Sequence, residues 1–259
     1  MEELIKKITA KKELANIDKQ YSKKILLETI KENPLIYNKL QEKKFNPKSK
    51  EFEVIVKKTR KKLREYFGSY NASIGEEKKK ELKEDIVKKH LSTRERSDHI
   101  EEFSEFIGSS KSILELGCGY NPFFYSHFKG KPKYLASDIT SDLDYIKTYF
   151  VNNKIDGDVL KLDLTLDEDL SLLKDISGKF ETTLLLKVVD PLEKQKRNST
   201  QKLLENINSK YLIVSFSTTT ISGKTEIKTQ RKWFYNLIQG KKFEEKVLGN
   251  EKYIKIRNR

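Results

Sequence analysis

A chain of 259 residues is long enough for one α/β domain plus a smaller module, and a hydrophobic content of 36% suffices for both cores. Its single cysteine, Cys118, excludes an intrachain disulfide and forms no metal-spaced cluster with His90, His99 and His127, so no metal site is expected. No apolar run reaches membrane-spanning length and Met1-Glu-Glu-Leu-Ile5 lacks a signal-peptide core, so a soluble cytoplasmic protein without membrane segments is expected, and its net charge of +14 turns attention to polyanionic partners.

From Glu2 to about His90 the pattern is helical, with long Lys/Glu/Leu/Ile segments broken near Asn33-Pro34 and Asn46-Pro47, which predicts a small helical bundle. Residues 1–80 carry 22 Lys/Arg against 12 Asp/Glu, a net +10, and residues 223–259 carry 11 against 4, a net +7. The middle, 81–222, has 20 against 23 and is slightly acidic. Basic ends around a neutral middle suit a phosphate-rich partner gripped by the flanks, the competing reading being a lysine-rich surface that only confers solubility. The most loaded segment, Phe52 to Phe67, places Val56, Leu63 and Phe67 on one stripe and Lys57, Lys58, Arg60, Lys61, Lys62 and Arg64 around the rest. A helix buried on one side and this basic on the other is a candidate RNA-backbone surface. Gly68-Ser-Tyr70 ends it.

In His90-Leu-Ser-Thr-Arg-Glu-Arg96, Ser92 and Glu95 form a capping box for a helix with Ile100, Phe103 and Ile107 on one face, closed by Gly108. Arg94 and Arg96 at its head are both candidates for holding a carboxylate. The stretch Ser112-Ile-Leu-Glu-Leu-Gly-Cys-Gly-Tyr-Asn-Pro122 reads as strand, two-glycine turn and helix start, and Gly117 and Gly119 let a nucleoside-like ligand lie against the backbone. About twenty residues on, Lys133-Tyr-Leu-Ala-Ser-Asp138 is a second strand ending in a carboxylate suited to two ribose hydroxyls. The third glycine of the dinucleotide fingerprint is missing, which favours a ligand without phosphates, such as S-adenosylmethionine.

The pattern continues with a helix near 142–150, a strand at 155–162 ending at Asp163, and a strand at 182–188. A helix at about 195–207, a strand at 210–216 and a helix at 228–239 follow, and Phe243 to Ile256 reads as a hairpin about Gly249-Asn250. A mostly parallel sheet finished by a hairpin, seven strands in all, resembles the class I S-adenosylmethionine-dependent methyltransferase fold, a Rossmann-like α/β architecture. It is preceded here by the helical region. The expected division is a basic helical RNA- and ribosome-docking domain at 1–89 and a methyltransferase domain at 90–259. Asp163 and Leu164 stand where a carboxylate and a backbone N–H read an adenine edge. Leu186-Lys-Val-Val-Asp-Pro-Leu-Glu-Lys-Gln195 closes the fourth strand without the aromatic platform that exocyclic-amine methyltransferases carry there. A ring nitrogen such as guanine N7, already nucleophilic and with no proton to lose, fits better, so no catalytic acid or base is expected.

Four blocks in order carry a family resemblance: His90–Arg96, Gly117-Cys-Gly-Tyr-Asn-Pro122, Leu186–Gln195, and Val214-Ser-Phe-Ser-Thr-Thr-Thr-Ile-Ser-Gly-Lys224. Together they resemble the aminoglycoside-resistance 16S ribosomal RNA (guanine-N7) methyltransferases, from about Thr59 to the C-terminus. The resemblance implies S-adenosylmethionine contacts from Tyr70, His90, Leu91, Ser92, Arg96, Gly117, Asp138, Asp163, Leu164, Leu186 and Gln195, beside Gly119 of the turn. It favours Arg96 over Arg94, and it implies docking of the helical domain on the small ribosomal subunit. Target-facing residues of the family lie in the stretch matching Thr225–Arg231, which makes Lys224, Lys228 and Arg231 RNA candidates beside the α-helical lysines. This chain departs there, with Ile221-Ser-Gly-Lys224 where the family usually has Leu-Gly-Gly-Arg. The competing readings are a noncatalytic RNA-binding or ribosome-assembly factor on the same fold, and a methyltransferase for another RNA site or for a small molecule.

Overall fold

Short apolar runs bounded by turn residues become five parallel strands: β1 (Ser112–Leu116), β2 (Lys133–Asp138), β3 (Gly157–Lys161), β4 (Thr182–Leu186) and β5 (Tyr211–Ser217). A hairpin of β6 (Phe243–Leu248) and β7 (Glu251–Arg257) completes the sheet, turning at Gly249, whose positive φ of 55° suits a residue without Cβ. The computed structural model describes residues 1–15, 17–67, 95–140, 142–220, 225–227 and 230–259. In it the strands run in the order β3-β2-β1-β4-β5-β7-β6, with β7 antiparallel to both β5 and β6. The order reverses between β1 and β4, and a parallel sheet opens a crevice at the carboxyl ends of its strands at such a point.

Period-two alternation divides each central strand between two cores. Ile113 of β1 and Leu184 of β4 pack on one face with Phe103, Phe128, Tyr134 and Phe150, whereas Leu114, Leu116 and Leu185 pack on the other with Leu203, Phe216 and Phe234. The first face is covered by α5 (Ile100–Ile107), a 3₁₀ turn (Asn121–His127) and α6 (Leu143–Asn152). The second is covered by α7 (Asp167–Ser177), α8 (Val189–Gln195), α9 (Ser199–Glu205) and α10 (Lys232–Leu237).

The helices that precede these, α1 (Glu2–Thr9), α2 (Lys19–Lys31), α3 (Pro34–Glu42) and α4 (Lys50–Phe67), bury Leu4, Ile8, Ile25, Leu26, Phe52, Ile55 and Leu63 in a core of their own. Pro34 starts α3 at a position where its missing N–H costs nothing, and the Asp18 carboxylate caps α2 by accepting from the N–H groups of Gln20 and Tyr21 at 2.9 and 3.0 Å. The basic face of α4 is partly a seam between helices. Lys58 donates to Asn33 (2.6 Å), Lys62 pairs with Glu32 (2.5 Å) and Arg64 with Glu13 (2.6 Å). Arg60 donates to the carbonyls of Ile8 and Lys7 at the open end of α1, so its expected outward role is corrected to that of a helix C-terminal cap.

Several expected elements differ. Helix α7 is not among the expected elements, although Asp167, Glu168 and Asp169 in its first turn and Lys174 near its end match the helix dipole. The helix expected at about 195–207 is α9, which begins only at Ser199 because Asn198 takes a left-handed conformation (φ 65°), and the residues before it form a further helix, α8, that ends at Gln195. The helix expected after the glycine turn is a 3₁₀ segment with Pro122 near its start. The helix expected to begin at Ser92 has its regular part at Ile100, and Ser92 itself lies outside the described residues, as do Tyr70 and the boundary between residues 89 and 90.

Leu63 has no exposure and sits where α4 meets the helical core. Leu63→Ala should therefore cost about 2–5 kcal/mol of stability, measured by chemical denaturation; a loss below 1 kcal/mol would show that this core is not packed as described.

Candidate active site

The crevice is a cleft of about 1080 Å³ including its open mouth, lined from the carboxyl ends of β1, β2, β3 and β4. At the end of β1 the chain turns through Gly117 (φ 66°) and Gly119 (φ 51°). A Cβ on Gly117 would stand 2.7 Å from Cγ2 of Val188, so this position tolerates no side chain. At the end of β2, Asp138 is anchored by backbone donors: Gly119 N–H to Oδ2 at 2.9 Å, and Ile139 and Thr140 N–H to Oδ1 at 2.7 and 3.2 Å. Burial raises its carboxyl above the ordinary value, and those three N–H groups pull in the opposite direction. One carboxylate thus fixes the glycine turn relative to β2 and still lines the cleft.

A buried charge network floors the opposite side. Arg96, 4% exposed, donates through Nε to Tyr253 (3.1 Å), through Nη1 to Asn121 (2.8 Å) and through Nη2 to Glu251 (2.8 Å). Lys187, in a left-handed conformation just after β4, pairs with Glu95 at 2.7 Å and with Glu251 at 3.4 Å. Ser215 donates to Glu251 as well. Burial alone would raise the Glu251 carboxyl, but Arg96 and Lys187 outweigh it and hold it below the ordinary range. Next to this hub, Glu115 accepts from Asn121 (2.9 Å) and Tyr134, and burial pushes its carboxyl up to about 7.

At the far rim Asp163 accepts from Thr165 N–H (3.0 Å) and Thr165 hydroxyl (2.6 Å) through Oδ1, and from Lys24 of α2 (2.7 Å) through Oδ2. Gln195 accepts from the Tyr21 hydroxyl at 3.1 Å. The cleft therefore gathers Arg96, Gly117, Gly119, Asp138, Asp163, Leu164, Leu186 and Gln195, eight of the expected cofactor residues. Tyr70, His90, Leu91 and Ser92 lie outside the described residues. Sequence reading missed Tyr21, Tyr66, Tyr120, Thr140, Asp142 and Lys187, which also line the cleft. Lys187 was visible within the block that ends β4, whereas nothing in the sequence ties Tyr21 to Gln195, 174 positions away.

Of the expected RNA contacts, Lys57 and Lys61 are exposed. Arg231 differs: it is 10% exposed, clasps Asp190 at 2.8 Å, donates to the Ser217 carbonyl at 2.9 Å and lies 4.6 Å over the Phe216 ring. It latches the end of β5 to α8 and is not a free surface cation. Lys224 and Lys228 lie outside the described residues.

The strand order and the glycine-turn cleft define a class I methyltransferase fold. The 16S rRNA methyltransferase RmtF, solved in complex with S-adenosyl-L-homocysteine, superimposes with a TM-score of 0.71 over 99% of this chain and 97% of its own, at 18% identity. The chain belongs to the ribosomal RNA methyltransferase (FmrO) family, whose model matches residues 76–236. The 16S rRNA (guanine(1405)-N(7))-methyltransferase of Micromonospora rosea is 28% identical over 144 residues, covering 53% of this chain and 50% of that protein. The protein of the same name from Proteus mirabilis is 29% identical over 155 residues, covering 56% and 52%. The chain thus spans about half the length of the curated relatives it matches. The 16S rRNA methylase ArmA aligns over 67% of this chain and 89% of its own at 26% identity, with a TM-score of 0.54.

Glu115 supplies a pH test. Its folded-state value of about 7 lies above the 4.5 of a free carboxyl, so the folded state holds the extra proton and stability contributed by this group is lost as pH rises from 4.5 through 7. Glu115→Gln lacks that slope, and denaturation across this window should show the variant gaining on the parent by up to about 3 kcal/mol. A constant gap between the two would refute the assignment.

Proposed function

We propose that the chain transfers a methyl group from S-adenosylmethionine to N7 of a guanine in 16S-type ribosomal RNA, at the decoding site of the small ribosomal subunit, and that it acts in the cytoplasm. In this reading residues 1–89 dock on the subunit and residues 90–259 carry the transfer. The observation that carries it is the pairing of the Gly117/Gly119 turn with Asp138 at the end of β2, in a chain whose curated relatives are named as 16S rRNA guanine-N7 methyltransferases.

The residues fit the cofactor. Asp138 has lone pairs left beyond its three backbone bonds for ribose hydroxyls, and Gly117 keeps the turn clear of side chains. Arg96 is a guanidinium with five N–H groups, and among the described residues its Nη1 makes one bond, to Asn121, which leaves an N–H for the methionine carboxylate. Asp163, Leu164 and Gln195 would flank the adenine. When bound, S-adenosylmethionine supplies a methyl group on a positively charged sulfur. Guanine N7 offers its own lone pair, so the chain's task is to hold that nitrogen in line at about 3 Å, with no proton to remove. Cys118 is no competing nucleophile, because burial pushes its thiol well up. After β4, Asp190-Pro191-Leu192-Glu193 lacks the aromatic residue expected of exocyclic-amine chemistry, in keeping with a ring-nitrogen target. The base must leave its stack to reach the cleft. Lys57 and Lys61, with Lys224 and Lys228, are the lysines proposed to face phosphates.

Methyl transfer from labelled S-adenosylmethionine to purified small subunits, followed by borohydride–aniline cleavage and primer extension, should give one cleavage at the decoding site. Label without that cleavage would move the target, and no label on subunits or naked RNA would end the proposal. Lys57→Ala and Lys61→Ala should each lower the salt slope of subunit binding by about one while sparing S-adenosylhomocysteine binding. An unchanged slope in both would remove α4 from the docking surface.

A further inference from the structure

The rim of the cleft that holds Asp163 and Gln195 is walled by the first turns of α2. Asp18 at the head of α2 pairs with Lys161 at the end of β3 (2.5 Å), Ile17 bridges Thr140 just after β2, and Lys24 reaches Asp163 at 2.7 Å. Between these ties Tyr21 is 6% exposed and its hydroxyl donates to Oε1 of Gln195. Burial pushes the Tyr21 phenol far up, so it stays protonated and remains a donor.

A side-chain amide has one acceptor end and one donor end. With Oε1 held by Tyr21, the NH₂ end is what Gln195 can offer the cleft. Asp163 is acceptor-only, with Oδ1 committed to Thr165 and Oδ2 shared with Lys24. The rim therefore presents a donor beside an acceptor. Adenine presents the complement, a ring-nitrogen acceptor beside an amino donor, whereas a 6-oxopurine reverses both at that edge.

We infer that Tyr21 is a positioning residue, with the Lys24 ammonium of the same helix 5.6 Å over its ring, that fixes Gln195 as a donor and so sets a preference for adenine over 6-oxopurine nucleosides. The inference rests on the cofactor reading above and deepens it: the helical region expected to dock RNA also forms part of the purine-selecting wall.

The test titrates the full chain with S-adenosylhomocysteine and S-inosylhomocysteine. The parent should favour the adenosyl compound. Tyr21→Phe keeps the ring but frees the amide to rotate, and the adenosyl-to-inosyl affinity ratio should fall by about tenfold. Lys24→Met should lower the ratio too, with Lys24→Arg restoring it. Gln195→Glu places an acceptor where the donor stands and should shift the ratio the same way, which keeps the inference testable if Tyr21→Phe folds poorly. An unchanged ratio in Tyr21→Phe and Gln195→Glu, or both affinities falling in step, would overturn the role of Tyr21 and leave the cofactor reading intact. Failure of the parent to bind either compound would overturn both.

Discussion

The buried carboxylate of Glu251 is the constraint on which the architecture most depends. It sits in β7, the strand that enters antiparallel between β5 and β6, and it takes Arg96 from the segment before α5, Lys187 from the end of β4 and Ser215 from β5. Charges this deep are stable only when each is matched. Removing one partner from such a pair strands the other at a cost of about 3–5 kcal/mol. The hairpin is therefore held in register by ion pairing as well as by its backbone ladder, and the same pairing places Arg96 and Lys187 at the cleft. Fold and site share one interaction.

Much of the sheet was legible because its determinants are local. Apolar runs with period two gave the strands, Gly249-Asn250 the hairpin, and the β1 turn with Asp138 one wall of the cleft. Helix α7 carries a local signal too, in the acidic first turn from Asp167 to Asp169. The division into α8 and α9 is different in kind: it turns on the left-handed Asn198, a conformation that asparagine tolerates but does not announce. The network around Glu251 was hidden for a third reason. Its members, Glu95, Arg96, Lys187, Ser215 and Glu251, are scattered along the chain, and a charged residue in a lysine-rich sequence reads as surface until the fold turns it inward.

The same limit explains the basic helix α4. Its periodicity correctly placed Val56 and Leu63 inside, but the six cations from Lys57 to Arg64 cannot be separated by sequence into those that meet solvent and those that meet a neighbouring helix. Arg60, Lys62 and Arg64 are spent on α1, Glu32 and Glu13. Lys61, with its side chain 78% exposed, makes a loose 3.8 Å ion pair with Glu65 of its own helix instead of meeting a neighbouring one. The solvent-facing positive charge of this region is thus smaller than its composition implies, and it includes lysines on flexible stems.

Placing a helical region over the rim of the cleft has a thermodynamic consequence. Asp18, Tyr21 and Lys24 bond to groups on β3, α8 and the loop after β3, so the position of α2 and the order of the rim that holds Asp163 and Gln195 are not independent. A ligand that needs Asp163 and Gln195 in place favours the docked helix, and by linkage a partner that favours the docked helix strengthens that ligand by the same factor. The size of that factor is bounded by what the contacts can contribute: a neutral hydrogen bond and two partly exposed ion pairs amount to about 1–3 kcal/mol. That is enough to bias occupancy of the cleft toward the protein with its helical region docked, yet too little to make the cleft depend on a partner for its existence.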